Sequence, residues 1–135
     1  MPSSSRDFQR AAGQRLAAAE ELFAAGFNLD AQYIGGYVVE CSLKALILHD
    51  TPDAERPAMF RRLTESGGKM HRYDVLRGIL GEVGSTLPVP LSRRLRRFDW
   101  STGLRYEFGR ADTGETRGLL KTAKAIYNHV EKCLP

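Results

Sequence analysis

Residues 33–50, YIGGYVVECSLKALILHD, are apolar on nearly every side of a helical wheel. One face runs through Ile34, Val38, Cys41, Ala45 and Leu48, and another through Leu43, Leu46 and Ile47. A helix apolar nearly all round belongs at the centre of a bundle. Glu40 and Lys44 interrupt it four residues apart, acid before base, the favourable order for a helical ion pair. Tyr33, Gly36 and Tyr37 lie on the same face, one and two turns earlier. An ionised carboxylate in such surroundings costs several kcal/mol (roughly) unless something pairs with it. Glu40 is therefore expected in a groove or an interface, with Lys44 snorkelling toward water. A surface left uncovered by a bundle of about five helices would make this stripe the interface of a C2 homodimer.

The rest of the chain is helical in period. Phe8, Ala12, Leu16, Ala19 and Phe23 recur at helical spacing between residues 6 and 25, and Gly26 is a natural stop. The connection to the next helix, which starts near residues 29–31, is short enough for an antiparallel hairpin. Pro52, Pro57 and the pair Gly67–Gly68 break residues 50–70 and leave room for one short helix, AMFRRLTE. A helix over about 73–83 would turn Tyr73, Leu76, Ile79 and Leu80 inward, and a short basic helix covers about 91–98. In DTGE, Asp112 and Glu115 have capping-box spacing, and the final helix shows Leu119, Ala123, Ile126 and Val130 inward as far as Lys132. No segment alternates with a strand period. The 135 residues thus read as one all-α domain, an up-and-down bundle of about five helices.

Composition excludes several classes. Asp30, Glu40 and Lys44 fall inside the one apolar stretch of membrane-spanning length, and central Asp or Lys costs about 2.5–3.5 kcal/mol each on insertion. The first residues, MPSSSRDFQR, lack a signal-peptide core, and two cysteines, Cys41 and Cys133, make neither a metal spacing nor a disulfide framework. A cytoplasmic protein with no cofactor and no metal is expected. The net charge of +4 is concentrated in Arg93, Arg94, Arg96 and Arg97, with Arg61, Arg62, Lys69, Arg72 and Arg77 upstream. Such a patch can track phosphates, and it can equally be a solvated helix face. His71 would serve as a general base or as a capping and packing residue; no partner stands near it in sequence, which favours packing. Arg105 and Tyr106 follow Trp100 in a loop-like segment, where an arginine can fork onto a carboxylate or phosphate. Arg105 is on this ground a better partner for Glu40 than Lys44.

AQYIGGYVVECSLKALIL, then His71 before an apolar helix, then Trp100 and Arg105–Tyr106, resembles the HEPN family, the higher eukaryote and prokaryote nucleotide-binding domains. The resemblance covers roughly the whole chain and is most specific over residues 33–48. It implies a small helical bundle similar to the C-terminal domain of kanamycin nucleotidyltransferase. It also implies self-association, and often a minimal nucleotidyltransferase partner in a toxin–antitoxin-like pair. The matching residues are Glu40, Lys44, Arg105 and Tyr106. Ribonuclease members carry an arginine followed after four to six residues by a histidine. Here YEFGRADTGETR follows Arg105, with no histidine. Cleavage needs a proton acceptor, and arginine cannot be one at neutral pH. A module that binds a nucleotide or RNA phosphate, or a partner, is therefore expected ahead of a ribonuclease using His71 or His129, or of a helical subunit with no nucleotide site.

Overall fold

The computed structural model describes residues 4–98, 100, 103–104, 107–109 and 111–135. It is an all-α bundle, and the described residues include no strand. Six α-helices are present among them: α1 (Ser5–Ala24), α2 (Asn28–Asp50), α3 (Arg56–Glu65), α4 (Tyr73–Glu82), α5 (Val89–Leu95) and α6 (Thr113–Cys133). Two 3-10 turns, Asp53–Glu55 and Gly68–His71, precede α3 and α4. The count exceeds the expected five because residues 56–65 form a full helix, with Pro57 in its first turn where no backbone N–H is required.

The helix ends follow from local chemistry. Ser4 Oγ accepts from Asp7 N to open α1, and Asp112 Oδ2 accepts from Glu115 N at 2.7 Å to open α6. Gly26, at φ +87°, ends α1 in the left-handed conformation that glycine tolerates best, and α2 begins two residues later. At the far end of α2, Arg56 donates to the carbonyls of Leu48, His49 and Thr51 and satisfies acceptors that a helix terminus leaves open.

Helix α2 is the axis of the bundle. Val38, Val39, Leu43, Ala45 and Ile47 are fully buried, and α1, α4 and α6 pack around them. Phe8, Ala12 and Leu16 of α1, Leu76, Ile79 and Leu80 of α4, and Ala123, Ile126 and Val130 of α6 complete one core. The chain covers most of α2 with its own helices, and Tyr33, Ile34, Tyr37 and Cys41 are the half-buried residues left along its middle. Lys44 is also placed differently from expectation. Only 5% of it is exposed, and it does not snorkel, because the carboxylate that receives it lies one turn back inside the same packed face.

Candidate functional site

Two adjacent glycines shape the middle of α2. A Cβ on Gly35 would stand 2.7 Å from Leu120 Cδ2, and one on Gly36 would overlap Cε2 and Nε1 of Trp100. Gly35 thus admits α6, and Gly36 admits the indole that follows α5. Trp100 donates from Nε1 to the Tyr33 carbonyl at 3.2 Å and lies nearly parallel to Tyr73, with ring centroids 5.6 Å apart. Tyr73 donates its hydroxyl to the Gly36 carbonyl at 2.9 Å. Burial, with Glu40's negative field added, holds the Tyr73 phenol well above its ordinary pKa, so it remains a donor. Tyr37 meets Trp100 edge-on at 4.9 Å and His71 edge-on at 6.1 Å. The hydroxyls of Tyr33 and Tyr37 are 3.2 Å apart.

Beside this aromatic layer lies the charged cluster. Lys44 donates from Nζ to Glu40 Oε2 at 3.0 Å, and both side chains are 7% exposed. His71 reaches the other oxygen, with Nδ1 2.7 Å from Oε1. A carboxylate only accepts, so Nδ1 carries the proton, and the neutral ring has its lone pair on Nε2. The imidazole is 38% exposed, and the hydrogen bond found for it among the described residues is the one at Nδ1. The 3-10 turn over Gly68–His71 produces this placement, opened by Gly67 at φ +83°. His71 is thereby set opposite a residue 31 positions earlier. Packing, favoured from sequence because no partner stood nearby, is joined here by a direct contact with Glu40. The cluster can hold an imidazole in one tautomer and one orientation at the surface, which suits it to donate to an anion or to accept a proton.

Cys41, next to Glu40, is a different kind of residue. Burial pushes its thiol up to about 11, and the neighbouring carboxylate adds to this, so it is a packing residue rather than a nucleophile. Arg105 and Tyr106, and with them the expected Arg105–Glu40 pair, lie outside the described residues. The partners of Glu40 among the described residues are Lys44 and His71. Of the four arginines of the basic patch, Arg96 lines a groove with Arg72 and Arg77, while Arg93 and Arg97 are exposed and Arg94 is half-buried. His49 pairs with Asp50, and His129 lies 3.7 Å from Cys133 Sγ; neither belongs to the cluster. No group of three or more metal-ligating side chains is found among the described residues. Among them, too, no helix is long and apolar enough to cross a membrane.

Fold and site together define a helical bundle whose buried acid is held by a lysine and presents a histidine at the surface. Comparison with family models, with curated proteins and with solved structures gives no match.

Proposed function

We propose that the chain is a small HEPN-like module that binds the phosphate of a nucleotide or of RNA at His71, without catalysis or with weak catalysis. One contact carries the reading: the 2.7 Å approach of His71 Nδ1 to Glu40 Oε1, with Lys44 on the second oxygen. It fixes the ring and leaves Nε2 to meet a ligand. A protonated ring donates to a phosphate oxygen, and a neutral one accepts from a hydroxyl. The ligand class comes from the resemblance at residues 33–48. So do a homodimer, a nucleotidyltransferase partner in a toxin–antitoxin-like pair, and a cytoplasmic setting. A homodimer would have to use surfaces other than the core of α2.

The same contact favours a second reading. A carboxylate-oriented imidazole with a free Nε2 is the arrangement that general acid–base catalysis uses, so metal-independent RNA cleavage through His71 is the rival. The test is calorimetric titration of ATP and of a short oligouridylate into wild type and His71→Gln, with a cleavage assay on structured RNA. Binding lost in His71→Gln, with helicity retained and cleavage at background, is the expected result. Binding indifferent to His71→Gln refutes the proposal. Cleavage abolished by the substitution selects the ribonuclease. Absence of binding and cleavage in wild type leaves a helical interaction subunit.

A further inference from the structure

On the other side of the Tyr73–Trp100 stack, a groove of about 450 Å³ runs between α4 and the end of α5. Three arginines line it, and their surroundings differ. Arg72 is offset by Asp74, with Nη2 2.7 Å and Nε 3.2 Å from its two carboxylate oxygens. The same contact holds the Asp74 carboxyl below its usual range. Arg77 has no such partner among the described residues. Among the described residues its polar contact is a long 3.4 Å approach of Nη1 to Ser92 Oγ, and its buried Nε has no acceptor there. Arg96 stands across from it at the end of α5, on an exposed residue.

A buried guanidinium N–H without an acceptor is costly, and an arginine half out of water without a counter-charge is more so. The planar fork of a guanidinium matches the oxygens of a phosphate, and Arg96 would supply a second positive charge. We infer that this groove is a phosphate subsite anchored by Arg77, which takes a phosphate group of the nucleotide or RNA bound at His71. The inference rests on the phosphate-binding reading and adds its second point of contact. Tyr73 and Trp100 form a shared wall, since Trp100 lines the groove and also touches Tyr37, which faces His71.

The experiment titrates ATP, pyrophosphate and a short oligouridylate into wild type, Arg77→Met, Arg77→Lys, His71→Gln and the exposed control Lys132→Met. Circular dichroism of each variant reports folding. Arg77→Met should weaken all three probes about tenfold or more, one guanidinium–phosphate contact by the usual conversion. For the oligouridylate it should also lower the salt dependence by about one phosphate contact. Arg77→Lys should recover part of the affinity through charge alone, and Lys132→Met should stay within about twofold, as befits a charge outside the groove. Wild-type affinity in a folded Arg77→Met overturns the subsite. If His71→Gln still abolishes binding, the reading at His71 stands without the groove. Loss in Arg77→Met with none in His71→Gln keeps the groove and removes His71. An Arg77→Met that does not fold is replaced by Arg77→Lys, whose wild-type salt dependence and affinity for all three probes would also overturn the two-point fork. No binding of any probe to wild type overturns both.

Discussion

Replacing Glu40 by glutamine removes one charge and almost no volume. Glu40 and Lys44 are each 5% exposed, so the ammonium left behind has little access to water. Breaking a buried pair from one side costs about 3–5 kcal/mol. The glutamine amide oxygen can still accept from Lys44, which places Glu40→Gln at the lower end, about 3 kcal/mol. Lys44→Met leaves the carboxylate to His71 alone and should cost a similar amount. The double variant carries neither stranded charge, and its loss should fall short of the sum by about 1–3 kcal/mol. Against a total stability of about 5–15 kcal/mol for a domain, each single variant should be plainly weakened. Urea unfolding followed by far-ultraviolet circular dichroism measures all four proteins, with an unchanged denaturant slope as the sign that only stability moved. The exposed Arg62–Glu82 bridge, with side chains 43% and 54% exposed, serves as the control and should matter far less. A cost of under about 1 kcal/mol for Glu40→Gln, the figure for solvated pairs, would refute the claim that burial makes a one-sided loss of this pair costly.

Further outcomes are expected at two glycines, at a helix cap and at the cysteines. Gly36→Ala should destabilise by about 1–3 kcal/mol despite alanine's better helix propensity, because its Cβ would overlap Trp100. Gly78→Ala, where a Cβ meets nothing within 4 Å, should stabilise by about 0.5–1 kcal/mol; equal denaturation midpoints for the two would contradict the packing account. Asp112→Ala removes the side-chain acceptor at the start of α6 and should lower stability by about 1 kcal/mol in thermal melts, with Asp112→Asn close to wild type. Maleimide should label exposed Cys133 quickly at mildly alkaline pH and Cys41 slowly. The Cys41 thiol is raised from 9.0 to about 11, so its contribution is present below 9 and lost as pH climbs through about 11, since the unfolded chain releases that proton first. A Cys41→Ala protein should show a shallower alkaline decline than wild type, and an identical profile would count against the shift.

Periodicity was enough for most of the frame. The four residues expected to face inward on α4, Tyr73, Leu76, Ile79 and Leu80, are its buried residues, and the Asp112 cap was legible from DTGE. The site was less legible. A helix apolar on all sides does not say which neighbour covers which face, so the burial of Lys44 could not be read from its spacing to Glu40. His71 meets Glu40 through a tight turn that begins at Gly67–Gly68, a signal that reads locally only as a break. Gly35 and Gly36 look like a weak point in a helix until Leu120 and Trp100 arrive from distant parts of the chain. Local rules carry the elements, whereas contacts across 31 or 67 positions depend on how those elements close on one another.

The aromatic layer has a consequence for how the molecule absorbs and emits light. Trp100 is the only tryptophan of the chain, and three of the five tyrosines, Tyr33, Tyr37 and Tyr73, lie with ring centroids 4.9–6.5 Å from it. At that separation, excitation absorbed by those tyrosines passes to the indole, and the asymmetric stacking gives the near-ultraviolet dichroism its source. Indole emission therefore reports on one corner of the molecule, the corner that also holds His71.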